Sequence, residues 1–223
     1  MTSQIRANLV TVSDPRSAAA EAYRALRTNL SFSSLDDPIR TLIVTTAAPQ
    51  ENKSIVIANL AVIMAQGGNR TLLVDCDLRR PALHDIFGVD NSRGLTTMML
   101  DEAAMGAPPL LGTEIENLFL LPSGPLPPNP ADLLWSRRMD AVLARLTEGM
   151  DMLLLDAPPV MAVTDTAVLG SKVDGILLVI SAGSTRREHA ERAKEMLQKV
   201  NLRLVGAVLD NAPPDALMGS YYG

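Results

Sequence analysis

Cysteine is nearly missing from this chain: Cys76 stands alone. A single thiol excludes an intramolecular disulfide and fits a reducing compartment such as the cytoplasm. Placed between Asp75 and Asp77 at an expected strand end, it reads as a small buried filler rather than a reactive group. Aromatic residues are scarce too, at 3% of 223. Of three tyrosines, Tyr221 and Tyr222 stand beside the C-terminus, where nothing but docking of the tail would call for a pair. Lys and Arg (20) fall short of Asp and Glu (25), for a net charge of −5, so no broad basic surface for nucleic acid is expected. No apolar run reaches the roughly 18 residues of a membrane span, and residues 1–6 lack the apolar core of a signal peptide. What is present is 47% hydrophobic and 20% charged, enough for one soluble globular domain with a large core.

The apolar residues come in short runs punctuated by turns. Strands are expected over 40–46, 71–75, 115–121, 152–155, 175–181 and 203–209. Helices are expected over 53–66, 131–147, 164–171 and 185–200, with shorter helical pieces over 81–87 and 94–100. Leu72-Leu73-Val74, Met152 to Leu155 and Ile176 to Ile180 are apolar throughout, the mark of strands buried on both faces of a parallel sheet. Alternating strands and helices predict an α/β, doubly wound, mostly parallel sheet with helices on both faces. Residues 1–14 look irregular, 15–212 form the domain and 213–223 are a tail. Asp14-Pro15 reads as a helix start, with the acid as cap. The helix that follows, within 15–31, carries Glu21, Arg24 and Arg27 at spacing three on one face, which fits either a solvated ion pair or a subunit contact.

Residues 41–54 hold the stretch with chemistry in it. A β-branched strand ends in Ala47-Ala48-Pro49-Gln50-Glu51-Asn52, and Lys53-Ser54 opens an apolar helix through Ile55. Strand, loop, Lys-Ser, helix is the layout of a phosphate-binding P-loop, in which backbone N–H groups face an anion, the Lys reaches β/γ-phosphates and the Ser hydroxyl takes Mg²⁺. The pattern G-x-x-x-x-G-K-[ST] would put glycines where Ala47 and Asn52 stand. A positive φ at 52 would cost a non-glycine residue roughly 1–2 kcal/mol, with Asn among the most tolerant.

Two further strands end in acids, Asp75-Cys76-Asp77 and Asp156. Parallel strands bring such ends to one edge of the sheet, where ligands bind. Carboxylates crowded there raise one another's pKa unless a cation compensates, and Mg²⁺ accepts hard oxygen ligands while keeping waters and phosphate oxygens. Arg79 and Arg80 fall within reach of the same edge, to pair with the aspartates or with phosphate.

With those residues in place, the chain resembles the bacterial tyrosine kinases of capsule and exopolysaccharide synthesis. The matching stretches are Glu21 to Asn29, Leu72 to Pro81 (LLVDCDLRRP), Leu121 to Leu134 (LPSGPLPPNPADLL) and Leu154 to Val160 (LLDAPPV). The resemblance implies an ATP-dependent protein-tyrosine kinase that regulates polysaccharide polymerisation and export. It implies a nucleotide site at Pro49, Gln50, Glu51, Asn52, Lys53, Ser54 and Ile55, with Asn211 near the adenine. Ser54, Asp77 and Asp156 would hold Mg²⁺, and Asp75 would act as base or orienter for the tyrosine hydroxyl. Glu21, Arg24 and Arg27 match a helix motif that builds a ring-like homo-oligomer, in which the tail of one subunit, here bearing Tyr221 and Tyr222 as phosphoacceptors, enters its neighbour's site. The further partners implied are a separate transmembrane adaptor, which would place the chain at the inner face of the membrane, and a tyrosine phosphatase. Family loops commonly read Pro-Gly-Glu-Gly-Lys-Ser; Gln50 and Asn52 depart from that, so a non-catalytic scaffold with impaired ATP binding is the alternative. A partitioning or septum-placement ATPase is a third reading, against which Ala48 stands where those proteins carry a further lysine.

Overall fold

Strands whose side chains are apolar on both faces can only be covered on both faces. The structure, a computed structural model, describes residues 9–33, 37–49 and 51–212. Its elements are α1 (Val10–Ser13), α2 (Ala18–Ser33), β1 (Thr41–Thr46), α3 (Lys53–Gln66), β2 (Thr71–Asp75), α4 (Leu83–Phe87), α5 (Leu95–Leu100), α6 (Glu102–Gly106), β3 (Leu111–Gly112), β4 (Leu118–Leu121), α7 (Pro130–Trp135), α8 (Arg137–Thr147), β5 (Met152–Asp156), α9 (Asp165–Gly170), β6 (Gly175–Ser181), α10 (Arg187–Lys199) and β7 (Leu204–Asp210). The sheet order is β3-β4-β2-β5-β1-β6-β7, parallel throughout except for the short β3–β4 pair. This is the expected doubly wound α/β fold.

The alternation of side chains along each strand splits the interior into two cores. Leu42, Val44, Leu73, Leu154, Leu177 and Val179 face one side and pack with α3 and α4. Ile43, Leu72, Val74, Leu153, Leu155, Ile176 and Leu178 face the other and pack with α5, α8 and α9. Full burial of such side chains contributes about 1.5–3 kcal/mol each, so the sheet is held from both layers. Helix α3 is apolar all round and buried from Val56 to Ala65, as a helix with no polar face must be. Its outer side is covered by α2 and by the segment before it. Leu9 is fully buried, and Thr11 gives both its N–H (3.0 Å) and its hydroxyl (2.8 Å) to Asn59 Oδ1 on α3.

Several boundaries differ from expectation for local reasons. Residues 9–13 are ordered by that contact with Asn59. Helix α2 begins at Ala18, with Ser17 Oγ accepting the Ala20 N–H at 3.1 Å, so Ser17 is the cap and Asp14 instead ends α1. The single helix expected over 131–147 is two, because Ser136 turns extended (φ −61°, ψ 154°) and its hydroxyl donates to Leu133 O at 2.7 Å. The fourth strand of the chain, β4, is shorter than expected, starting at Leu118 after Asn117 adopts a positive φ. The proline-rich loop after it is pinned rather than loose. Asn91 Oδ1 accepts the Gly124 N–H at 2.9 Å, and a Cβ on Gly94 would stand 2.1 Å from Pro122 O.

Candidate active site

Register brings the acids together. Asp75 and Asp156 are directly paired at the ends of β2 and β5, and Asp156 also sits level with Val44 of β1, two residues before that strand runs into the loop that leads to Lys53. Lys53, at the first position of α3, lies between two carboxylates: its Nζ is 2.8 Å from Asp156 Oδ1 and 3.0 Å from Asp77 Oδ2. Ser54 donates its hydroxyl to Asp156 Oδ2 at 2.5 Å. The ion cluster is buried, with Lys53 at 6%, Asp77 at 3% and Asp156 at 0% exposure, and Ser54 is half-buried at its edge.

Burial and proximity set the protonation. Burial pulls Lys53 down, but the charges and hydrogen bonds of Asp156 and Asp77 outweigh it, so its pKa is raised and it stays a cation. Burial pushes Asp156 up, partly offset by Lys53 and Ser54. Asp75 is pushed up to about 7, first by burial and then by the charge of Asp156 beside it, against the pull of the Leu83 amide, the Lys53 charge and the Ala82 amide. Cys76 is fully buried among these groups, and burial with three neighbouring acids drives its thiol well above the ordinary value. It is the inert filler the sequence indicated.

Above this cluster opens a cavity of about 350 Å³, lined among others by Pro49, Glu51, Lys53, Ser54, Asp77, Arg79, Arg80, Pro158 and Pro159. Asp77 is thus the member of the acid trio that reaches the cavity. Asp75 is turned inward: its Oδ2 accepts the Ala82 and Leu83 N–H groups, both at 3.0 Å, and its Oδ1 accepts that of Asp77 at 3.2 Å. It shapes the loop that presents Asp77. Asp77 Oδ1 in turn accepts the Arg80 and Arg79 N–H groups at 3.0 and 3.3 Å.

The loop itself departs from what the missing glycines led one to expect. Asn52 has φ −80°, so no left-handed strain exists there, and its side chain is directed to Asp210 Oδ2, 3.3 Å away at the end of β7. Glu51 accepts a short hydrogen bond from the Thr185 hydroxyl, while its other oxygen is buried with no partner among the described residues. The Lys53 N–H donates to Glu51 O at 2.9 Å, closing a tight turn at the mouth of α3. Gln50 lies outside the described residues, as do Tyr221 and Tyr222. Ile55 packs into the core around α3. Asn211 has φ 55° and donates to Ser181 Oγ at 3.1 Å, on the β6–β7 side of the loop.

Arg79 pairs with an aspartate, though none of the expected three. Its Nε and Nη2 lie 2.8 and 3.0 Å from the two oxygens of Asp165, which is fully buried. Asp165, Thr185 and Asp210 were not singled out by sequence reasoning. Each is a polar residue at a helix or strand end, a placement shared by many acids and hydroxyls without function. On α2, Arg24 bonds Glu21 (2.7 Å) and Pro15 O (2.6 Å), the local pair foreseen. Arg27 instead reaches across to Ile63 O of α3 at 3.3 Å, lying over Gly67.

The donors fit Mg²⁺. Ser54 and Asp156 offer hard oxygens in direct contact, and Asp77 offers another across the Lys53 ammonium. That matches an ion shared with phosphate oxygens and water. The cationic wall of Lys53, Arg79 and Arg80 fits the phosphates themselves.

Comparison with known proteins agrees. Residues 51–212 match the ParA family model, described as NUBPL iron-transfer P-loop NTPase. Tyrosine-protein kinase YwqD of Bacillus subtilis (strain 168) is 40% identical over 93% of this chain and 87% of its own. The crystal structure of the chimerical protein CapA2B2 superposes with a TM-score of 0.87 at 32% identity, covering 93% of this chain and 91% of that one. The kinase domain of Escherichia coli tyrosine kinase ETK does so with a TM-score of 0.84 at 30% identity, covering 92% and 82%. On the sheet order, the phosphate-loop lysine held between two strand-end acids and these likenesses together, the chain belongs to the bacterial tyrosine kinase family of P-loop NTPases.

Proposed function

We propose that this kinase moves the γ-phosphoryl group of Mg-ATP onto Tyr221 and Tyr222 of its own tail, within a ring-like homo-oligomer, and so regulates polymerisation and export of a capsular or extracellular polysaccharide. The observation that carries the reading is Lys53, clamped between Asp77 and Asp156 beneath a cavity walled by Arg79 and Arg80. In the transfer, the phenol oxygen of tyrosine bonds to the γ-phosphorus as the bond to the β–γ bridging oxygen breaks. That oxygen keeps the electron pair and leaves on ADP. The phenol proton passes to a carboxylate, and Asp75, whose Oδ1 accepts the Asp77 N–H, acts as base or orienter. Lys53 swings from the acids to β/γ-phosphate oxygens; Ser54, Asp77 and Asp156 would hold Mg²⁺, which would neutralise charge on the phosphates. Pro49, Gln50, Glu51, Asn52 and Ile55 frame the phosphates and Asn211 the adenine side.

Glu21, Arg24 and Arg27 make the subunit contact. A transmembrane adaptor holds the assembly at the inner membrane face, and a tyrosine phosphatase reverses the modification. Among the described residues no helix is long and apolar enough to cross a membrane. The test is mass spectrometry of the purified chain after incubation with Mg-ATP. Phosphate is expected on Tyr221 and Tyr222, with none in the variant carrying Tyr221→Phe and Tyr222→Phe. Unchanged incorporation in that variant would reject the tail as acceptor. Calorimetry showing no ATP binding would favour the scaffold reading.

A further inference from the structure

Arg79 stands on the wall of the phosphate cavity, and its guanidinium is held there by a residue with no other visible task. Asp165 is fully buried, yet Arg79 is 40% exposed in its side chain, so the pair points a fixed cation from the interior towards the opening. The grip is two-pronged, Nε to one carboxylate oxygen and Nη2 to the other, which fixes the plane of the guanidinium as well as its position. It also joins two loops far apart in sequence. Residues 77–80 follow β2; residues 158–163, which lead into α9 and Asp165, follow β5, and both line the same cavity. Arg80, beside it, has an exposed side chain and no such anchor among the described contacts.

We infer that Asp165 is a positioning residue for phosphoryl transfer: it orients Arg79 to meet the charge that gathers on the transferred phosphate. This rests on the reading of the cavity as the phosphate site. A cation fixed before reaction costs no reorganisation when charge moves, so its loss appears in turnover more than in substrate binding. Arg79→Ala alone leaves a buried carboxylate unpaired and endangers folding, whereas Asp165→Ala leaves an arginine that water can solvate. Asp165→Ala, Asp165→Asn and Arg79→Lys are therefore the main variants.

The experiment measures kcat and KM for ATP in self-phosphorylation, and melting temperature, for wild type, these variants and Lys53→Met. Each variant at Asp165 and Arg79→Lys is expected to lose at least tenfold in kcat with KM for ATP within threefold. Asp165→Ala with Arg79→Lys should be no slower than the worse single change. Arg79→Ala should regain activity with millimolar guanidinium, and Arg79→Ala with Asp165→Ala should not. Unaltered kcat in Asp165→Ala, or equal rescue with and without Asp165, would overturn the inference. Normal activity in Lys53→Met would instead overturn the cavity assignment beneath it.

Discussion

Replacing Lys53 with Met should damage the fold as well as the chemistry, and the two effects can be separated. The side chain is buried, and its ammonium is the cation between Asp156 and Asp77, at 0% and 3% exposure. Met fills much of the same volume without the charge. Removing one partner of a buried ion pair costs about 3–5 kcal/mol, because the remaining charge is left uncompensated. For a chain of this size about 1 kcal/mol moves the melting temperature by 2–4 °C, so a fall of roughly 6–20 °C is expected near neutral pH. The acids can escape by taking up protons. Asp156 already has a raised pKa, and losing Lys53 raises it further. A carboxyl whose folded pKa is raised contributes stability at low pH that is lost as pH rises through the folded value. The gap between wild type and Lys53→Met should therefore be small at pH 5 and large at pH 8. Adding Asp156→Asn should return part of the lost stability at pH 8 while leaving ATP binding absent. Scanning fluorimetry at the two pH values, with calorimetry for ATP, checks all three outcomes. A melting temperature within 2 °C of wild type at pH 8 would refute the idea that this lysine compensates buried acids.

Other residues give sharper or smaller effects. With the pKa of Asp75 at about 7, wild-type stability to urea should fall as pH rises from about 4 to about 7, since the folded state keeps a proton the unfolded chain has released. Asp75→Asn should flatten that slope by up to about 1.4 kcal/mol per pH unit. Asn52→Gly should change the Kd for ATP less than tenfold in calorimetry, because φ is already −80°, and should destabilise by about 1 kcal/mol through the lost bond to Asp210 and a freer backbone. Arg24→Ala with Arg27→Ala should reduce an oligomer to a monomer by light scattering. Arg27→Ala alone should also cost about 1 kcal/mol, because it abandons Ile63 O at the end of α3.

Legibility in the sequence followed the range of the interaction. The apolar runs at Leu72, Leu153 and Ile176 announce strands covered on both faces, and the strands deliver Asp75, Asp77 and Asp156 to one edge as expected. Lys53 and Ser54 are legible because a P-loop is a local motif. The backbone at Asn52 was not. Whether a loop needs a left-handed residue depends on what it is tied to, and here the ties run to Asp210 and Thr185, more than a hundred residues on. Asp165 escaped for the same reason: its partner is Arg79, 86 positions away. Ser136 was missed through a competing local bond, since its hydroxyl takes the Leu133 carbonyl and ends a helix that the apolar spacing alone would carry to Thr147.

The burial of α3 on every side decides where this molecule can flex. A helix with a wet face can slide or tilt against its core by exchanging contacts; α3 has interior on both flanks, sealed by Thr11 on Asn59 and by Arg27 over Gly67. Its amides belong among the slowest to exchange with deuterated solvent, opening only when the whole sheet opens. The turn into Lys53, fastened by Glu51 to Thr185 in the segment between β6 and α10 and by Asn52 to the end of β7, is then a gate hung on a fixed post. Movement of that turn would pass first to Asp210 and Thr185, its two described side-chain ties.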